Sequence, residues 1–328
     1  MILPPFELHR PRSVDEALDI AAARDNDFDY LGGGTDLLPN YKNRLNPRRH
    51  VIALWGCDEL TRRDARSFGT MVRLSELESD AGIRRAWPGL HESISRVATP
   101  LVRRQATVGG NLLVETRCYY FNQSHDWRAA KGYCMKADGD VCLVVPQKDI
   151  CYAVYSGDTA APLLTLDASF TIRGFTGTRE ARACDFYLPD GIRKNVLETG
   201  DILTRVSLPD EAARLRSGYA KLSLRDAFDF PDAGVAVALR LEGDVIADLR
   251  IAVTAVSMTP RLFSDLTSGS IGEKLTPALV ENLAGEVARL TQPVRNVMFP
   301  PQYRRRMVQL YTRRLLERLG PPATSRAA

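Results

Sequence analysis

The sequence predicts an α+β protein in three parts, and three observations carry that expectation. The chain opens on a helix, a short strand and a glycine-rich turn in quick succession. Its middle mixes short strands with helical pieces, and its last third sets two long strands ahead of two long helices. At 328 residues it exceeds the usual single-domain length and has ample material to bury a core.

The first helix follows from Ser13-Val14-Asp15-Glu16, a capping-box pattern, and from the Ala- and Leu-rich stretch that runs to about Arg24. A strand is expected at Asp29-Tyr30-Leu31, running directly into Gly32-Gly33-Gly34-Thr35-Asp36. Leu37-Leu38 then begins a helix or turn that Pro39 should interrupt, and Val51 to Trp55 reads as a buried strand. Strands are expected at 170–173 and 202–208, and again at 234–241 and 249–256 with Glu242-Gly243-Asp244 as the turn between the last two. Helices over 277–290 and 302–319 close the chain. The resulting division is an N-terminal α/β unit (1–57), a second α+β unit (58–216) carrying an insert (112–155), a C-terminal α+β unit (217–320) and a disordered tail (321–328).

Composition excludes several classes. Hydrophobic residues make up 45% and charged residues 26%, which is globular rather than disordered usage. A net charge of +4, from 44 basic and 40 acidic residues, is too weak to argue for nucleic acid. No run approaches the roughly 20 apolar residues a membrane span needs, and residues 1–7 lack a basic-then-apolar export signal, so a cytoplasmic protein with no membrane partner is expected. In that reducing compartment the six cysteines are not expected to form structural disulfides; clustering among them points to metal or redox chemistry. Four of them lie between positions 118 and 151.

Three consecutive glycines between a strand and a helix leave backbone amides uncovered, and a phosphate is the natural guest. Thr35 adds a hydroxyl, and Asp36 can cap the next helix or accept from a sugar hydroxyl. The spacing is neither that of a Rossmann turn nor that of a P-loop. A second turn of the same character, Thr107-Val108-Gly109-Gly110-Asn111, follows Arg103-Arg104-Gln105-Ala106. Two separated turns of this kind suggest a diphosphate held between subdomains.

On these two turns, their order and their separation, the chain resembles the FAD-binding medium subunits of the xanthine dehydrogenase and carbon monoxide dehydrogenase family. The resemblance continues through Ser156-Gly157-Asp158, through Gly200-Asp201-Ile202-Leu203 and through Tyr219-Ala220-Lys221-Leu222-Ser223. It implies a two-subdomain FAD-binding fold (PCMH-type) followed by a C-terminal α+β domain of the CO dehydrogenase flavoprotein type. FAD contacts are then expected from Leu31, Gly32, Gly33, Gly34, Thr35 and Asp36, and from Thr107, Val108, Gly109, Gly110 and Asn111. Asp158 would touch the nucleotide, Leu203 would pack beside the isoalloxazine, and the Lys221 ammonium would lie near the flavin. The chain itself is expected to carry no catalytic side chain; its partners would be a molybdopterin-binding large subunit and a small subunit with 2Fe-2S clusters, as a dimer of heterotrimers.

The insert carries Cys118, Cys134, Cys142 and Cys151, spaced Cys-x15-Cys-x7-Cys-x8-Cys, together with many aromatic residues. A segment of this length without regular periodicity would struggle to order itself, so a metal centre tying four points together is attractive. Four thiolates select zinc or an iron–sulfur cluster. The paired short gaps usual for either are missing, and wide gaps fit a four-iron cube somewhat better than one zinc ion. Cys57 and Cys184, beside apolar segments, are expected to be buried thiols. His9, His50, His91 and His125 read as structural or surface residues, with His125 the one candidate donor to cluster sulfur. The basic runs Arg304-Arg305-Arg306 and Arg313-Arg314 read as a solvated or salt-bridged helix face, with subunit docking as the alternative.

Within the family, the insert is similar to that of one branch, the beta subunits of 4-hydroxybenzoyl-CoA reductases, where a loop of this size carries a 4Fe-4S cluster. That resemblance implies Cys118, Cys134, Cys142 and Cys151 as ligands, a ferredoxin-like donor, and electrons that enter at the insert and leave through FAD toward the partner subunits. The competing readings are an oxidative xanthine, aldehyde or CO dehydrogenase-type flavin subunit with a zinc-stapled insert, and a non-enzymatic assembly scaffold.

Overall fold

The computed structural model describes residues 2–321, and the tail expected to be disordered lies, from residue 322 on, outside them. Three sheets form, and the third packs one face against the core of the second. The first is parallel, with strand order β1 (Glu7–His9), β3 (His50–Ala53), β2 (Phe28–Leu31). The helix Val14–Ala22 connects β1 to β2 and turns Val14, Ala17, Leu18 and Ala21 inward, a spacing that is the apolar stripe of an amphipathic helix. Ser13 caps it by accepting from the Glu16 amide, while the Glu16 carboxylate reaches back to the Arg12 amide rather than to that of Ser13. The next helix, Leu37–Lys42, contains Pro39 instead of stopping at it. At the third helical position the missing amide hydrogen has no intrahelical acceptor to lose.

The second sheet is antiparallel, in the order β4 (Ser67–Gly69), β7 (Ile202–Ser207), β5 (Ser169–Gly174), β6 (Gly177–Arg182). The third runs β11 (Arg261–Leu262), β10 (Val245–Thr254), β9 (Ala233–Glu242), β8 (Arg216–Leu222). β9 is buried on both faces, and its sequence says why. Ala236 and Ala238 face the core of the second unit, whereas Val235, Val237 and Leu239 pack under the helices Pro277–Leu290 and Pro301–Leu319. A strand alternates its side chains between faces, so small residues on one face admit the short helix Ala160–Thr165 while branched residues fill the other.

Arg304 departs from the solvated face expected of the last helix. It is fully buried and donates to the carbonyls of Asp232 (2.8 Å), Val294 (3.1 Å) and Ala255 (2.6 Å) and to Asn296 Oδ1 (3.1 Å). The planar guanidinium satisfies four acceptors that no apolar residue could. Asn296 in turn accepts from the Tyr119 amide (2.8 Å) and donates to the Tyr152 carbonyl (2.9 Å), so this buried arginine anchors both ends of the insert. Among the described residues, no helix is long and apolar enough to cross a membrane.

Candidate functional site: a groove between two glycine turns and an adjoining thiol pocket

Both glycine turns meet in space although some seventy positions separate them in sequence. β2 delivers Gly32, and the chain bends back against the loop preceding the second turn. A Cβ on Gly33 would stand 1.7 Å from the Gln105 carbonyl oxygen, and one on Gly109 would stand 2.8 Å from Thr70 Cβ. Gly34 adopts φ +73, a conformation few other residues reach without strain. The amides of Gly33, Gly34 and Thr35 donate to no protein acceptor among the described residues. The second turn becomes the N-terminus of the helix Val108–Leu112, where Thr107 Oγ1 accepts from the Gly110 amide (3.1 Å).

Between the turns lies a groove of about 1000 Å³, counting the space open to solvent. Leu31, Gly32, Gly33, Gly34, Thr35, Asp36, Thr107, Gly109, Gly110 and Leu203 all line it. A second depression shares Gly32, Gly33, Met71 and Thr107 with it, so the first turn forms a saddle with open space on both sides. A run of uncovered amides with glycines where a Cβ would intrude fits a diphosphate, and a long two-sided groove fits a dinucleotide.

Four expected contacts stand elsewhere. Val108 points into the core. Asn111 Oδ1 accepts from the amide (3.1 Å) and hydroxyl (2.7 Å) of Thr159. Asp158 and Lys221 lie off the groove and are paired with each other: Lys221 Nζ is 3.1 Å from Asp158 Oδ1, and the Tyr219 hydroxyl donates to the same oxygen at 2.9 Å. Lys221 also donates to the Arg96 and Asp229 carbonyls. Burial raises the Asp158 carboxyl to about 6 despite the opposing pull of Lys221. In this structure Asn111, Asp158 and Lys221 hold the second turn against the C-terminal sheet.

Sequence reasoning passed over several groove residues: Asp29, Glu115, Lys194 and Asp201. Burial pushes the Asp29 carboxyl up to about 6 even though the Tyr41 hydroxyl donates to it at 2.7 Å. Asp36 makes no helix cap; its Oδ2 accepts from the Glu115 amide (2.9 Å) and its Oδ1 pairs with Arg117. The first turn is thereby tied to the chain that leads into the insert. Only long-range pairing makes this visible, and nothing local in the sequence signals it.

The insert folds around its cysteines. Cys118, Cys134, Cys142 and Cys151 are all buried, and three of them share a core with Leu45, Phe121, Ala137 and Ala153. All six cysteines of the chain are free thiols. The Phe121 amide points at Cys118 Sγ (3.3 Å) and the Tyr152 amide at Cys142 Sγ (3.5 Å). Burial raises the Cys118 thiol and pushes that of Cys151 up to about 12. Among the described residues no three of these sulfurs lie within 4.8 Å of one another, which is wider than the sulfur spacing around one tetrahedral zinc ion.

One residue joins the two places. The buried Lys136 donates to Glu115 Oε1 (2.7 Å), to the Thr116 hydroxyl and to the Gly191 carbonyl, and its ammonium lies 5.0 Å from the centre of the Phe121 ring. Gly191 donates back to the Cys151 carbonyl (2.8 Å), and a Cβ there would stand 2.8 Å from Cys151 Sγ. Glu115 also meets Lys194 at 3.2 Å in the groove wall. Thus groove and thiol pocket share one wall.

The remaining expectations divide. Cys57 is buried, and burial raises its thiol to about 11; Cys184 is exposed at the surface of a four-residue helix, because Ala183 and Phe186 take the inward positions there. His125 lies at the surface, with Nε2 3.3 Å from the Tyr133 hydroxyl and Nδ1 3.4 Å from Asp126, and makes no bond to a cysteine sulfur among the described residues. The helix His125–Ala130 that carries it starts at a Ser124 cap and turns Arg128 inward, leaving His125, Asp126, Ala129 and Ala130 exposed.

Comparison with known proteins agrees with this geometry. The family profile described as "FAD binding domain in molybdopterin dehydrogenase" matches residues 4–211, and "CO dehydrogenase flavoprotein C-terminal domain" matches 218–319. The carbon monoxide dehydrogenase medium chain of Hydrogenophaga pseudoflava is 26% identical over 322 residues, covering 96% of this chain and 97% of that one. An Escherichia coli aldehyde oxidoreductase FAD-binding subunit is 29% identical over 268 residues, 78% of this chain and 82% of its own. A solved carbon monoxide dehydrogenase structure from Hydrogenophaga pseudoflava superposes with a TM-score of 0.79 at 25% identity, covering 97% and 98% of the two chains. The chain therefore belongs to the FAD-binding subunits of the molybdenum hydroxylase family.

Proposed function

We propose that this chain is the flavin and iron–sulfur electron-transfer subunit of a molybdenum enzyme of the 4-hydroxybenzoyl-CoA reductase type. The reaction would be reductive removal of the phenolic hydroxyl to give benzoyl-CoA, with a ferredoxin-like donor. Its partners would be a molybdopterin large subunit and a 2Fe-2S small subunit, assembled in the cytoplasm as a dimer of heterotrimers. What carries the reading is the insert: four buried cysteines in one loop, with Cys151 beside the wall that Glu115, Lys136 and Gly191 form with the FAD groove.

FAD exchanges electrons in pairs or singly, and a four-iron cluster exchanges them singly. The chain's own residues hold and insulate. The amides of Gly33, Gly34 and Thr35 would receive the diphosphate, Thr107 fixes the second turn, and Leu203 would pack against the flavin ring. Asp158 and Lys221 would act through Asn111, keeping that turn in place. Cys118, Cys134, Cys142 and Cys151 would ligate the cluster. Lys136 sets a positive charge between the thiol pocket and the groove and excludes water from that wall.

Iron, acid-labile sulfide, zinc and flavin analysis of the co-purified complex tests this. The wild-type complex should contain about four more iron atoms per copy of this chain than a Cys134→Ser complex, with equal FAD. Stoichiometric zinc in the insert would favour an oxidative flavin subunit of the kind the relatives' names describe. A complex without flavin would leave only a scaffold.

A further inference from the structure

The parallel pairing of β1 with β3 brings together three side chains that local sequence keeps apart. Glu7 stands in register with His50, and His9 projects from the same strand two residues on. His9 Nε2 lies 3.1 Å from His50 Nδ1, across 41 positions of sequence. Glu7 Oε2 lies 3.3 Å from that His50 nitrogen, and Glu7 Oε1 lies 3.7 Å from His9 Nε2. A divalent ion with ligand bonds of about 2.0 to 2.1 Å in tetrahedral array needs neighbouring donor atoms about 3.3 Å apart. The three observed separations bracket that value.

We propose that Glu7, His9 and His50 form a divalent transition-metal site of the zinc class, distinct from the cysteine pocket, that clips the edge strand β1 to β3. Two imidazoles and one carboxylate select borderline ions over calcium or magnesium. The imidazoles are sheltered, at 11% and 22% exposure, while the carboxylate is 62% exposed, which leaves the fourth position to solvent. The clip has a clear task. β1 is only three residues long, lies at the sheet edge and leads into the helix that packs beneath β2, which delivers the first glycine turn.

Cobalt(II) is the probe, because thiolate ligands give it an intense sulfur-to-metal band in the near ultraviolet that nitrogen and oxygen ligands do not. The full-length protein, with its cysteine pocket already loaded, is titrated at pH 7.5. The expected result is one further equivalent bound with weak visible bands alone. Binding should weaken at least tenfold in Glu7→Gln, whose exposed side chain can change without unfolding the sheet, and vanish in His50→Ala. Zinc at a concentration that just saturates the wild type should raise its melting temperature by more than it raises that of Glu7→Gln. Absence of an added equivalent, or equal affinity in wild type and Glu7→Gln, overturns the site.

Discussion

The flavin groove and the cysteine pocket share a wall but are built on opposite principles. The groove is made chiefly of backbone: its two turns supply amides, and their glycines matter because nothing else fits between Gly33 and the Gln105 carbonyl. The pocket is made of side chains hung on an irregular loop, whose order depends on Arg304, Asn296 and whatever the four sulfurs bind. A backbone site is preformed, whereas a side-chain site in a loop, as proposed for the four cysteines, would fold with its metal. The two should therefore fail independently, and substitutions can be chosen to make each fail alone.

The largest effects should come from the sites themselves. If the proposed function holds, Cys134→Ser should lower the iron content and cut donor-driven turnover more than tenfold while FAD absorbance stays at the wild-type level. Cys184→Ser, at an exposed thiol, should change neither. Gly33→Ala should do the reverse of Cys134→Ser. Its methyl group meets a main-chain carbonyl that cannot swing away, so the turns must part at a cost of about 1 to 3 kcal/mol and FAD should be lost with iron retained. Parallel flavin and iron assays of the three variants decide the matter; loss of both cofactors in either site variant would mean the shared wall couples them.

This contrast also explains what the sequence disclosed. Glycine turns, the strand Ala233–Glu242 and the helix Pro277–Leu290 stand where their local patterns put them. The strand expected at 249–256 instead runs Val245–Thr254, and the buried strand expected from Val51 to Trp55 ends at Ala53 in a 3-10 turn that exposes Trp55. The clustering of four cysteines was legible as a count, but not the fold of the loop, since His125–Ala130 is a helix too short to show a period. Glu115, Lys136 and Lys194 were invisible because their meaning lies in contacts with one another across the wall. Arg304 misled for a related reason: a basic run implies solvent, and only the tertiary fold shows four acceptors waiting for one guanidinium.

Arg304→Met sharpens the comparison at intermediate size. It keeps the volume roughly and removes every donor, leaving buried acceptors at Asp232, Ala255, Val294 and Asn296 unsatisfied. A loss on the order of 3 kcal/mol in urea unfolding is expected. Because Asn296 fixes Tyr119 and Tyr152, proteolysis within 118–152 should accelerate before the groove releases FAD. Simultaneous loss of flavin and of protease resistance would show that the insert has no independent anchor.

The smallest effect concerns the wall itself, and its sign can be derived. Burial alone would raise the Glu115 carboxyl, but Lys194 and Lys136 outweigh it and hold the group at about 2. An unfolded glutamate titrates near roughly 4.3, so the folded state binds its proton less readily than the unfolded state does. The stabilisation is therefore complete above about pH 5 and disappears as pH falls through 4.3 toward 2. Glu115 is partly exposed, and solvent screening limits its contribution to about 1 kcal/mol. Glu115→Gln should consequently be less stable than wild type by that amount at pH 7, and urea titrations should show the gap narrowing by pH 3. A gap of unchanged size at pH 3 would mean that the two lysines do not depend on the Glu115 charge, and that the groove and the thiol pocket are joined by packing alone.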